Sequence, residues 1–269
     1  MRILVVDDHY VIEAGVARAL EQHNGHVVVG ASSPAALRNE LTRGTDFGLA
    51  FVDLHYGAGA PESGLAALEA LAGYDIPCIL YTSDGEQNRP LYLLAAFEFF
   101  PDTSTVLSKT AGDVEIARIV DIYANGLRPG PGASQRYRSP GDRTSLLKRL
   151  VGTSDDLILW RSLAKFTKLR EIAADAHCSE KKVSDFISLR QSAIAEFEHE
   201  VMDLPVAPSP PTGERQRPLL DAHRFATVNA DFFADPDVER LVRGKYDGEK
   251  RRSDAARTGD RHRRRGFRK

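Results

Sequence analysis

"GLAFVDLHYG", residues 48–57, is almost wholly apolar from Gly48 to Val52 and then places a carboxylate at Asp53. A short apolar run of this kind reads as a strand buried on both faces. An aspartate at its end has two readings: it caps the helix that follows, or it belongs to a site assembled along a sheet edge. The neighbouring segments decide between them.

Working outward, apolar strands are predicted at Ile3–Val6, His26–Val29, Leu49–Val52, Cys78–Tyr81 and Thr105–Leu107. Between them lie amphipathic stretches such as "HYVIEAGVARALEQH", "SPAALRNELTRG", "SGLAALEALAGY" and "AGDVEIARIVDIYANG". Asn24-Gly25, Gly44 and Gly73 stand where turns are required. Strands alternating with helices predict right-handed crossovers, hence an α/β fold with a doubly wound five-stranded parallel sheet. The fourth helical stretch, "EQNRPLYLLAAFEFFP", has Pro90 near its start and is expected to be short or distorted.

In such a sheet ligands bind at the carboxyl ends of the strands, where the strand order switches. With the order 2-1-3-4-5, Asp7 and Asp8 at the end of strand one stand beside Asp53. Three carboxylates in one crevice repel and raise each other's pKa unless a cation intervenes. Oxygen ligands with room for water suit Mg²⁺. Strand four brings Thr82 ("ILYTSD") to the same edge, and strand five brings Lys109 ("VLSKTAG"). Taken singly, each has a structural use: the aspartates as helix caps, Thr82 as strand filler, Lys109 as a surface charge. Together at these positions they form a phosphoryl-transfer site in which Asp53 attacks phosphorus while Thr82 and Lys109 hold the phosphoryl oxygens.

On "ILVVDDH", "FVDL", "LYTS" and "LSK", residues 1–125 resemble the receiver domain of two-component response regulators, a flavodoxin-like fold. The resemblance implies a sensor histidine kinase that phosphorylates Asp53, and a receiver that catalyses its own phosphorylation and hydrolysis without being an enzyme in the usual sense. It also implies Mg²⁺ bound directly by Asp8 and Asp53, through water by Asp7, and by the backbone carbonyl of His55. Three positions before Lys109, Val106 stands where that family usually has an aromatic residue. The phenylalanines Phe97, Phe99 and Phe100 are read either as ordinary packing or as a substitute route for the signal.

Residues 126–152 are expected to form a linker, since "GLRPGPGASQRYRSPGDR" has no periodic apolar face. Residues 153–204 predict three helical pieces. Leu157, Leu159, Trp160 and Leu163 form one apolar face, and Leu169, Ile172, Ala173 and Ala176 a second. A third piece is capped by Ser179, with Val183, Phe186 and Ile187 facing inward. The turn between "EIAADA" and the Ser-capped helix is a helix-turn-helix pattern, an all-α module separate from the sheet. Lys181, Lys182, Ser184 and Arg190 are expected to face outward toward double-stranded DNA. "REIAADAHCSEKKV" resembles the LuxR-type output domain of response regulators. Val183, Ile187, Ile194, Phe197 and Val201 also fit one long helix whose apolar stripe is either a homodimer seam or intramolecular core. A helical module that binds protein rather than DNA, and a phosphorylation-independent DNA-binding protein, are the alternative readings.

Charge separates along the 269 residues: 1–125 carry a net −10, 126–242 are neutral and 243–269 carry +8. Residues 205–269 are expected to be a largely disordered tail ending in "RHRRRGFRK", suited to polyanions without sequence preference. The apolar segment "LLDAHRFATVNADFFADPDVERLV" within it is expected to dock somewhere. Two cysteines, Cys78 and Cys178, match no metal or disulfide spacing. The absence of an apolar span of about 18 residues or of a leader pattern leads to the expectation of a cytoplasmic protein without membrane attachment.

Overall fold

The computed structural model describes all residues except 24, 58–59, 84–88, 131, 140, 142, 205–217, 250 and 253–269. The turn at Asn24 and the basic tail therefore lie outside the described residues. The chain divides into two compact units, Met1–Arg143 with Glu200–Met202, and Thr144–His199 with Asp203–Lys269.

The first unit contains β1 (Arg2–Val6), α1 (Tyr10–Ala19), β2 (Val27–Ala31), α2 (Pro34–Arg43), β3 (Phe47–Val52), α3 (Gly64–Ala72), β4 (Cys78–Thr82), α4 (Arg89–Phe99), β5 (Thr105–Ser108) and α5 (Asp113–Ala124). All strand pairs are parallel, in the order β2-β1-β3-β4-β5. Period-two alternation distributes the strand residues between two cores. Ile3, Val5, Leu49, Phe51, Ile79 and Tyr81 pack with Val16, Ile116 and Val120 of α1 and α5. Leu4, Val6, Ala50, Val52 and Leu80 are equally buried on the other face. Burial on both faces is what the continuous apolar strands require.

Two expectations for this unit are corrected. α4 runs unbroken for 11 residues, because Pro90 occupies the first turn, where its missing N–H has no helical partner to lose. Residues 132–143 belong to the unit rather than to a free linker. Gly132–Tyr137 form a 3₁₀ turn, and Tyr137 stacks on Phe97 at 6.3 Å and 8°. The Arg138 guanidinium lies 4.5 Å from the Phe97 ring centre and donates to the carbonyls of Thr103 and Ser104 at 2.6 and 2.8 Å.

The second unit is helical in its described residues: α6 (Leu146–Leu150), α7 (Ser154–Lys165), α8 (Leu169–Asp175), α9 (Glu180–Glu196), α10 (Pro218–Val228), α11 (Ala230–Ala234) and α12 (Pro236–Val242), with a π-helical turn at Arg243–Asp247 and another at Phe197–Val201, whose last two residues count with the first unit. It begins before residue 153, because Ser145 caps α6 by accepting the Lys148 N–H and Leu147 and Leu150 are buried. Trp160 is fully buried; its indole donates to Leu150 O, and its ring contacts Phe186, Phe225 and Phe233.

Residues 218–247 are thus folded helices, against the expectation of a largely disordered 205–269. Phe225, Phe232, Phe233, Val238 and Val242 bury too much apolar surface to remain solvated. α9 is one long helix, and its stripe of Val183, Ile187, Ile194 and Phe197 is buried within the unit; Phe197 meets Phe225 edge to face at 5.5 Å. The stripe is core, and the homodimer seam read from it does not stand.

Candidate functional site

Parallel pairing brings the strand ends into register. The Asp53 N–H donates to Val6 O, and the Lys109 N–H to Thr82 O, each at 2.9 Å. Asp53, Thr82 and Lys109 thus reach one sheet edge beside Asp7. A close approach by α3 completes the wall: a Cβ added at Gly64 would stand 2.1 Å from Asp53 O, so only glycine fits there.

Asp7, Asp53 and Thr82 are buried, Asp53 at 2% exposure. Lys109 Nζ lies 2.8 Å from Asp53 Oδ2 and 2.5 Å from Asp7 Oδ2. Burial favours the neutral amine, but the two carboxylates outweigh it and hold the Lys109 pKa above its ordinary value. For Asp7 the balance falls the other way: desolvation dominates over Lys109 and the His9 N–H, and its pKa is raised. Asp8 sits further out. Its modest burial is outweighed by the Gly57 N–H at 2.8 Å and by His9, whose Nδ1 lies 2.8 Å from Oδ1, and its pKa is lowered. α1 begins after His9, so neither aspartate is its N-cap.

These residues suit a divalent cation. Carboxylate and imidazole atoms of Asp7, Asp8 and His9 lie within 4.8 Å of one another. Asp7 Oδ2 is buried, and its contact with Lys109 is an ion pair without the alignment of a hydrogen bond, which leaves acceptor capacity for a cation. The rings of His55 and Tyr92 meet edge to face with their centres 5.9 Å apart.

Sequence reading missed Arg89. From the first residue of α4 its Nη1 donates to Asp53 Oδ1 at 2.8 Å and to Thr82 Oγ1 at 2.9 Å, with the side chain 8% exposed. No local signal marks it, because an arginine before a helix proline looks like any solvated charge. Tyr92, one turn further along α4, was missed too and is buried. Phe97 is buried under Tyr137, whereas Phe99 and Phe100 are half-buried; Val106 is half-buried in β5.

In the second unit α8 and α9 form the expected helix-turn-helix. Ser179 caps α9 by accepting the Lys182 N–H at 3.2 Å. The turn between the helices closes with Cys178 N–H on Ala173 O, and His177 takes φ 50°. Lys181, Lys182 and Ser184 are exposed as expected. Lys181 pairs with Asp185 at 3.0 Å, and Lys182 lies 3.7 Å from Asp155. Arg190 is not outward: it is bound to Asp156 and Leu150 O and stacks on Phe186. Its position on α9 turns it toward the core beside Phe186 and Ile187.

No protein-family model matches the sequence, and no curated protein does. Solved structures do. The response regulator RcsB of Salmonella typhimurium, in a structure describing its conformational dynamism for DNA interaction, matches with a TM-score of 0.51 at 20% identity, over 82% of this chain and 98% of its own. RcsB of Salmonella enterica serovar Typhimurium bound to a promoter in the presence of the phosphomimetic BeF3− matches with 0.53 at 21%, over 85% and 98%. An RcsB–DNA complex matches with 0.51 at 19%, over 85% and 98%. The likeness establishes a fold: a five-stranded parallel α/β sheet with flanking helices, together with a helical part, as in those structures. Among the described residues, no helix is long and apolar enough to cross a membrane.

Proposed function

We propose that this chain is a response regulator: a receiver phosphorylated on Asp53 by a sensor histidine kinase, which regulates transcription through the DNA-binding helices α8 and α9. The observation that carries the reading is Asp53 itself, an almost wholly buried carboxylate at the carboxyl edge with Lys109 on one oxygen and Thr82 alongside. A buried carboxylate held this way is oriented as a nucleophile, with the ammonium placed to receive charge from phosphoryl oxygens. Thr82 Oγ then has an acceptor group to turn toward. Asp8 and Asp53 directly, Asp7 through water and the His55 carbonyl would hold Mg²⁺, which would supply positive charge against the transferring phosphoryl group. The receiver performs transfer and hydrolysis on itself and has no further substrate. A cytoplasmic location and double-stranded DNA as partner follow from the same reading.

The output step runs through α9. Lys181, Lys182 and Ser184 face solvent from the first turns of a Ser-capped helix, the part of a helix-turn-helix that meets the major groove. A second reading, a receiver-gated module that binds protein, is favoured by the pairing of Lys181 with Asp185 and Lys182 with Asp155.

The test is selection from a pool of genomic fragments by the full chain, with and without beryllofluoride and Mg²⁺. Wild type, Asp53→Asn and Lys181→Ala/Lys182→Ala are compared. Enrichment of particular fragments that rises with beryllofluoride only in wild type, and falls in the lysine variant, supports the regulator. Each lysine that contacts a phosphate lowers the salt slope by about 0.9 when removed. Unselective binding that ignores both changes would favour the protein-binding module.

A further inference from the structure

Among the described residues, four charged side chains meet in the inner part of the acceptor site, and their formal charges cancel. Asp7 and Asp53 contribute two negative charges, and Lys109 and Arg89 two positive ones. Lys109 belongs to the motif; Arg89 does not. Its guanidinium holds Asp53 Oδ1 while Lys109 holds Oδ2, so both oxygens of the acceptor are already engaged by cations. The same Nη1 also bonds Thr82 Oγ1, bridging the nucleophile and the hydroxyl.

A divalent cation needs direct carboxylate oxygens at about 2.1 Å. A guanidinium nitrogen stands 2.8 Å from Asp53 Oδ1 and takes one of that atom's two lone pairs, so it competes with a dication for the same oxygen. Repulsion between the dication and the arginine also scales with the product of their charges. Leaving Asp53 does not require unwinding α4, because Arg89 is the helix's first residue and reaches the carboxylate through its side chain.

We propose that Arg89 is an internal counter-cation that occupies Asp53 in the resting protein and has to be displaced by the divalent cation before the acceptor can be phosphorylated. Arg89 is thus a positioning residue that sets the metal threshold of the switch. The proposal rests on the receiver reading for the meaning of its phosphate arm, while its metal arm stands by itself.

The experiment is calorimetric titration of the full chain with Mg²⁺ alone, for wild type, Arg89→Gln and Arg89→Lys. Acetyl phosphate labelling of Asp53 is then followed by mass spectrometry at limiting and saturating Mg²⁺. Arg89→Gln, which keeps an amide but no charge, is expected to bind Mg²⁺ at least about ten-fold more tightly than wild type and to be labelled faster only at limiting Mg²⁺. Arg89→Lys keeps the charge and guards against a folding defect in the neutral variant; it is expected to stay within about three-fold of wild type. Equal or weaker Mg²⁺ binding by Arg89→Gln overturns the proposal, as does equal tightening by Arg89→Lys. If Mg²⁺ binding tightens as expected but no variant is labelled on Asp53 even at saturating Mg²⁺, the receiver reading fails and the counter-cation stands.

Discussion

Arg190 Nη2 lies 2.5 Å from Asp156 Oδ2, and the two side chains are 14% and 12% exposed. The same carboxylate oxygen accepts the N–H groups of Gly152 and Thr153, so the pair fastens the start of α7 to the middle of α9. Removing the arginine strands a largely buried carboxylate. Arg190→Ala is expected to lower the unfolding free energy by about 2–4 kcal/mol in urea denaturation. A variant of unchanged stability with selectively impaired DNA binding would return Arg190 to the groove-facing role expected from sequence.

His177 holds φ 50° in the turn between α8 and α9, a left-handed conformation that glycine adopts without strain. The hydrogen bond from Cys178 N to Ala173 O fixes that geometry, as in a Schellman helix end. His177→Gly is therefore expected to stabilise the helical unit by about 0.5–1 kcal/mol. Thermal melting reads the change directly, and a lowered Tm would mean the imidazole makes a compensating interaction.

Burial pushes the Cys78 thiol up to about 12, whereas Cys178 is half-buried. Iodoacetamide at pH 8 is expected to label Cys178 alone in the native protein and both cysteines after denaturation. The folded state keeps the Cys78 proton over the interval from the ordinary thiol value of 9.0 to about 12. Stability from this group is complete below that interval and is lost as pH rises through it. Two labels on the native chain would show that β4 opens on the labelling timescale.

Arg138 donates through Nη2 to Thr103 O and Ser104 O while its guanidinium covers Phe97. Arg138→Ala leaves two carbonyls without this donor and uncovers an aromatic face. The expected loss is about 1.5–3 kcal/mol from the first unit. Hydrogen exchange at Thr105–Ser108 and Arg89–Phe99 should quicken, and an unchanged exchange pattern would reduce the contact to a surface ornament.

The sheet was legible because each strand of a parallel sheet advertises itself locally, as unbroken apolar residues such as Leu49–Val52 and Cys78–Tyr81. Asp7, Asp8, Asp53, Thr82 and Lys109 could be placed once the strand order was assumed, since each ends a strand. Arg89 was not legible, because it reaches Asp53 from a helix start, and only the folded path of α4 aims it there. The docking of α10–α12 depended on matching Phe225 and Phe233 to Trp160, a contact more than 60 residues apart in sequence. Arg190 was misplaced because helical phase alone does not reveal that Asp156 waits on its inner side.

α4 begins with Arg89 on the Asp53 carboxylate and, eight residues later, sets Phe97 beneath Tyr137 and Arg138. At 1.5 Å per residue the two jobs are about 12 Å apart along one axis. A three-turn helix does not compress, so it behaves as a shaft. If Arg89 withdraws by moving the helix, the seat of residues 137–138 must shift with it; if only its side chain swings, the seat stays still. The throw of the mechanism is then set by how the arginine leaves, and the sheet need not bend at all.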